Sequence, residues 1–222
     1  MKTNQELQRD VENAIKWEPL MHAAEIGVTA KDGVVSLTGI VDSYVKKMEA
    51  ENATKKVLGV KAVVENIEVK FPSSWTKTDA EVANEVLAAL KANYSVPNEN
   101  VKVKVEKGWV TLEGELNWNY QKEAALSATK YLTGVKGVTN SIRIKPTAHD
   151  RIEKDAVEKA IRRNWSIDSS DINVSVDGTT VTLKGTVGSW YEKEEAGRIA
   201  WNTPGIWHLK NELAVDYEYA FS

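Results

Sequence analysis

Three stretches, Val35-Ser36-Leu37-Thr38-Gly39, Val110-Thr111-Leu112-Glu113-Gly114 and Val181-Thr182-Leu183-Lys184-Gly185, end an alternating apolar run in the same way. Their glycines lie 75 and 71 residues apart, and a second glycine follows each after 20 residues, at Gly59, Gly134 and Gly205. Ten residues further on stand Val69, Ile144 and Val215; 24 residues before the first glycine of each copy stand Ile15, Leu90 and Ile161. A register that holds without a gap over that span marks one unit of roughly 65 residues written three times. The units are placed at residues 1–70, 78–145 and 150–217, with linkers 71–77 and 146–149 and a tail 218–222.

Working outward from the glycines gives the order of elements. Thr3 with Glu6, Thr78 with Glu81, and Asp150 with Glu153 have the spacing of a capping box, in which two side chains satisfy free amides at a helix start. Val11, Ala14 and Ile15, with their counterparts Val86, Ala89, Leu90 and Val157, Ala160, Ile161, recur at the three- and four-residue spacing of a helix with one buried face. Strict alternation follows at Ile26, Val28, Ala30 and at the matching positions of the other copies, as a half-buried strand requires. Asp32-Gly33, Lys107-Gly108 and Asp177-Gly178 then supply the positive φ of a hairpin turn into the second strand. A second helix, through Ala50 and Ala53 and their equivalents, and a third strand complete each copy. The predicted class is α+β: three tandem α-β-β-α-β units, each a three-stranded mixed sheet covered on one face by two helices, the second helix crossing over right-handedly between strands two and three. Pro204 is expected to cut the second helix of the third unit short.

Composition narrows the function. The 222 residues are 42% hydrophobic and 27% charged, which suits a globular chain. With no cysteine there are no disulfides, thiolate nucleophiles or cysteine-based metal sites. Twenty-nine basic against 32 acidic side chains leave a net charge of -3, without the basic excess of a nucleic-acid binder. No stretch is long and apolar enough to span a membrane, and the N-terminal residues lack the apolar core of an export signal. As written, the sequence points to the cytoplasm; a trimmed N-terminus would point to the periplasm.

The repeated unit resembles the BON domain, a bacterial module whose signature is a strand ending in Leu-x-Gly, an alanine-bearing helix, and Gly-Val-x-x-Val-x-Asn-x-Ile/Leu-x-Val. The matching residues are Leu37-Thr38-Gly39 with Gly59-Val60 and Val63 to Val69, Leu112-Glu113-Gly114 with Gly134-Val135 and Val138 to Ile144, and Leu183-Lys184-Gly185 with Gly205-Ile206 and Leu209 to Val215. The resemblance covers nearly the whole chain. It implies a non-catalytic protein that binds phospholipid or stabilises the cell envelope under osmotic stress. Fold alone does not determine function, so the residues are weighed separately.

Few groups suit catalysis or a cofactor. His22, His149 and His208 fall at non-equivalent places, and Asp168, Asp171 and Asn173 lack the glycine and glutamate of a calcium loop. No enzyme activity, cofactor or metal is expected. For an anionic phospholipid surface the strongest candidate is the first helix of the third unit, with Arg151, Lys154, Lys159, Arg162 and Arg163 and the indole of Trp165. Glu153, Asp155 and Glu158 share that helix, so a solvated face with internal ion pairs accounts for the same residues. The alternative is a protein-interaction or oligomerisation module without lipid affinity, anchored by Trp190, Tyr191, Trp201 and Trp207. Trp201 and Trp207 stand where the sister copies have Lys55, Lys130 and Lys61, Lys136, and are therefore expected to face solvent. Trp75 and Trp118 are expected to staple neighbouring units.

Overall fold

The computed structural model describes residues 2–21, 26–145, 154–164, 167, 168, 170–203 and 206–216. The first repeat runs α1 (Asn4–Lys16), β1 (Ile26–Lys31), β2 (Val34–Val41), α2 (Tyr44–Lys55) and β3 (Ala62–Val69). The second runs α3 (Asp79–Ala92), β4 (Val101–Glu106), β5 (Trp109–Leu116), α4 (Asn119–Lys130) and β6 (Gly137–Ile144); the third runs α5 (Lys154–Arg162), β7 (Ile172–Asp177), β8 (Thr180–Val187), α6 (Trp190–Trp201) and β9 (His208–Val215). Each repeat forms its own three-stranded sheet in sequence order. The first two strands are antiparallel, Val103 facing Leu112 and Val174 facing Leu183, and in the second and third repeats the third strand joins the second in parallel, Leu112 beside Asn140 and Leu183 beside Asn211.

The capping boxes set the start of the first helices. In α1 the Glu6 amide donates to Thr3 Oγ1 at 3.2 Å while the Thr3 amide donates to the Glu6 carboxylate at 2.8 Å, and Thr78 and Glu81 repeat the arrangement in α3. The third predicted box, Asp150 with Glu153, lies outside the described residues. The same helix starts hold the hairpins. Asn4 Oδ1 accepts from the Asp32 amide at 2.8 Å, and the equivalent Asp79 carboxylate accepts from the amides of Lys107 and Gly108 at 2.7 and 2.8 Å.

The glycine that ends the repeat signature has a steric cause. Gly114 has φ +145 and Gly185 φ +124, where side chains are strained, and a Cβ on either would collide with the backbone carbonyl of Asn100 or Asp171 at the entry to the preceding strand.

Equivalent residues build equivalent cores. Val86, Leu90, Val110, Leu112, Ala125, Val135 and Ile142 in the second repeat match Val157, Ile161, Val181, Leu183, Ala196, Ile206 and Leu213 in the third, all buried. Burial of each large aliphatic contributes about 1.5–3 kcal/mol. A carboxamide fastens helix to sheet: Asn140 Nδ2 donates to the Lys122 carbonyl at 3.0 Å and Asn211 Nδ2 to the Lys193 carbonyl at 2.7 Å. Glu65 holds this position in the first repeat.

Packing gathers the chain into two compact units, one drawn from Met1–Gly39, Glu49–Ile67 and Ala148–Ser222, the other from Ile40–Met48 and Glu68–Thr147. In the first of these the end of α2 meets the start of α6; in the second, Tyr44 packs against the core of the second repeat.

One expectation is corrected. α6 is not cut short, having 12 residues as α2 and α4 do. The helix closes at its Asn202 cap, whose amide donates back to Ala200 and Ile199, before the chain reaches Pro204. A proline past the cap removes no internal helix bond; Pro204 and Gly205 themselves lie outside the described residues.

Candidate functional site

α5 buries Val157 and Ile161 and turns its cations outward. Lys154, Lys159, Arg162 and Arg163 are all exposed. Lys154 pairs with Glu158 at 3.4 Å, one helical turn on, whereas no ion pair engages Lys159, Arg162 or Arg163 among the described residues. Two cations in the last turn suit the negative end of the helix dipole. Arg151 and Trp165, predicted to flank this group, lie outside the described residues. Beyond the helix, Asn164 Nδ2 donates to the Glu195 carboxylate at 3.0 Å, tying the end of α5 to α6. Glu195 also accepts from Arg198 at 2.6 and 2.8 Å, and these bonds hold its carboxyl below the usual glutamate range.

The corresponding corners of the other repeats carry a feature the sequence reading missed. α1 ends in Lys16 followed by Trp17, which is 85% exposed, and α3 has Lys91 in its last turn, three residues before a fully exposed Tyr94. Counted from the repeat glycines, Tyr94 is the counterpart of Trp165, and Trp17 that of Arg163. The signal in the sequence is an aromatic residue shortly after each first helix, at Trp17, Tyr94 and Trp165.

The four partner candidates are placed differently. The ring of Trp190 faces the ammonium of Lys55 at 5.0 Å and that of Tyr191 faces Lys56 at 5.3 Å. Trp201 packs half-buried against the core of the third repeat, and Trp207 is half-buried, its amide donating to the Thr179 carbonyl at 3.0 Å. The expectation that both indoles face solvent is thus corrected. Lysine at the same position in a sister copy did not indicate exposure: the Lys55 side chain is itself only 12% exposed, its apolar stem being laid along the protein. At the Trp207 position the repeat uses the backbone, since Lys61 and Lys136 amides donate to the hairpin carbonyls of Gly33 and Gly108 in the same way. Trp75 closes a 3-10 turn, Ser73–Trp75, and is half exposed; Trp118 is half-buried at the start of α4.

Asp168 accepts from the Ser170 amide at 3.0 Å, a turn contact that keeps its carboxyl below the usual range. His208 is exposed at the start of β9, and His22 and His149 lie outside the described residues. Among the described residues no group of three or more histidine or acidic side chains is placed to hold a metal ion, and no helix is long and apolar enough to cross a membrane.

Three tandem α-β-β-α-β modules, each with its own three-stranded sheet, define the architecture of a small repeat protein. The chain belongs to the BON domain family, whose family model matches residues 3–70, 78–146 and 149–217. It is 32% identical over 127 residues to the osmotically-inducible protein Y of Escherichia coli (strain K12), a match covering 55% of this chain and 63% of that protein. It is 28% identical over 125 residues to an uncharacterized protein in the gshII 5' region of Anaplasma centrale, covering 55% of this chain and 83% of that one. The chain therefore spans less than two thirds of the E. coli protein. Among solved structures it is similar to the C-terminal domain of CdsD, a structural protein of the type III secretion system of Chlamydia trachomatis, at 18% identity and a TM-score of 0.25 over 96% of this chain and 98% of that one.

Proposed function

We propose that this is a non-catalytic BON-repeat protein that binds peripherally to anionic phospholipid surfaces during osmotic or envelope stress. The observation that carries the lipid reading is the outward group Lys159, Arg162 and Arg163 on α5, exposed and free of carboxylate partners among the described residues. Each basic side chain near an anionic surface contributes about 1 kcal/mol. The exposed aromatics Trp17 and Tyr94, each beside a last-turn lysine, support a shared mode in which an amphipathic ring enters the headgroup layer and the cation meets phosphate. The osmotic setting rests on the family and on the name of the E. coli relative. The alternative, association through Trp190, Tyr191, Trp201 and Trp207, has less free surface to use, because the chain's own residues already occupy much of it.

The test is co-sedimentation of the whole chain with phosphatidylglycerol and with phosphatidylcholine vesicles at low and high salt. Pelleting with the anionic vesicles alone, lost as salt shortens the Debye length, is the expected result. No pelleting with either lipid would overturn the proposal.

A further inference from the structure

We infer that the open sheet face of the second repeat is a saccharide-binding platform centred on Trp109, suited to a neutral, unbranched sugar chain. This goes beyond the lipid reading and does not depend on it. Alternation along β4, β5 and β6 sends Val101, Val110, Leu112 and Ile142 into the core and leaves Trp109, Thr111, Glu113, Thr139, Ser141 and Arg143 on the opposite face. Trp109 is half exposed there. The core does not need it: the equivalent residues are Val34 and Thr180.

A second residue is matched to it. Trp109 lies beside Gly137 in the parallel register, and a Cβ on Gly137 would collide with Cζ3 and Cε3 of the indole. The ring therefore rests directly on the backbone of β6, held as a platform. At the equivalent positions the first repeat has Val34 and Ala62, and the third pairs Thr180 with His208. Lys47 brings its ammonium to 5.7 Å from the ring centre.

Two shallow depressions lie along the face. One, of about 310 Å³, is lined by Lys104, Glu106, Lys107, Trp109 and Thr111; the other, of about 320 Å³, is lined by Lys102, Glu113, Gly114, Glu115, Ser141 and Arg143. Trp109 and Glu115 are six residues apart on β5, about 20 Å at the rise of a strand. That length admits a chain of several rings.

The charge of the face selects the ligand. Lys102, Lys104, Lys107 and Arg143 alternate with Glu106, Glu113 and Glu115, and Lys104 pairs with Glu106 at 3.2 Å. Four cations against three carboxylates leave the face close to neutral, so it favours neither a polyanion nor a polycation. A polyhydroxylated neutral ligand needs both donors and acceptors, and ammonium, guanidinium, carboxylate and hydroxyl groups supply them side by side. The indole adds an apolar surface for the C–H face of a sugar ring.

The test is amide and indole NMR of the isotopically labelled whole chain, titrated with N-acetylglucosamine hexamer and with cellohexaose to about 10 mM, where even a millimolar site fills. Shifts confined to β4, β5, β6 and the Trp109 indole are expected, the amide shifts being kept in Trp109→Phe and lost in a folded Trp109→Ala. If Trp109→Ala unfolds, the pair Glu106→Ala and Thr111→Ala takes its place: weaker shifts support the site, unchanged shifts overturn it. The inference is also overturned by no shift with either sugar, by shifts that survive in Trp109→Ala, or by shifts on this face that only phosphatidylglycerol vesicles produce.

Discussion

The ammonium of Lys55, at the end of α2, stands 5.0 Å from the centre of the Trp190 ring at the start of α6. It also reaches Glu194 at 3.1 Å and Glu51 at 3.0 Å, so one cation from the first repeat is held by an indole and a carboxylate of the third and by a carboxylate of its own helix. Burial is the largest influence on this group and pulls its pKa down, but Glu51 and Glu194 together more than offset it, and the pKa is raised. Inside this compact unit the first and third repeats are thus joined by a partly desolvated charge rather than by apolar packing alone.

Lys55→Ala is expected to destabilise the contact by about 1–2 kcal/mol, from loss of the cation–π and ion-pair contacts together. A double-mutant cycle with Trp190→Ala, read by urea denaturation, should show coupling between the two residues; strict additivity would mean they do not interact. Since the folded pKa is raised, the stabilisation is complete below the unfolded lysine value of about 10.4 and is lost as pH rises through the folded value.

Gly114→Ala and Gly185→Ala should each cost about 3 kcal/mol or more, because the new Cβ adds a carbonyl clash to an unfavourable φ. Gly178→Ala, whose Cβ would meet nothing within 4 Å at φ +57, should be the milder change. Thermal unfolding of the three variants ranks them.

Glu195 supplies an acid-sensitive link between α5 and α6. Its folded pKa is lowered, so its stabilisation is present above the unfolded value of about 4.3 and disappears as pH falls through the folded value. Glu195→Gln should therefore be less stable than wild type at neutral pH, with the gap closing as pH falls through the folded value. A gap that stays constant over that range, measured as urea midpoints, would mean the carboxylate charge is not involved.

Asn140→Ala and Asn211→Ala should each destabilise their own repeat by about 1–3 kcal/mol, since the carbonyls of Lys122 and Lys193 lose their carboxamide donor. Hydrogen exchange at β6 and β9, respectively, would localise the effect.

The repeat arithmetic carried the architecture because each element leaves a periodic trace: Val86 and Leu90 at helical spacing, Val101 and Val103 at strand spacing, Gly114 at a backbone position only glycine tolerates. What escaped it depends on distance in space. That Asp79 would hold the hairpin at Lys107 and Gly108 has no short-range signal. Trp201 was placed in solvent because Lys55 and Lys130 align with it, yet the long lysine stem is compatible with a mostly buried site. The basic group on α5 was legible from helical spacing alone, whereas the exposure of Trp17 and Tyr94 follows from how the chain turns after each helix.

The most direct measurement for the account as a whole is vesicle co-sedimentation of Arg162→Glu/Arg163→Glu beside wild type, with circular dichroism on the same samples. Both side chains are exposed, so the fold should be unchanged, and each reversal should remove at least about 1 kcal/mol of attraction to the anionic surface. The account predicts wild type in the pellet with phosphatidylglycerol at low salt and the folded variant in the supernatant. Equal pelleting of the two would contradict the α5 cations as the lipid-facing group.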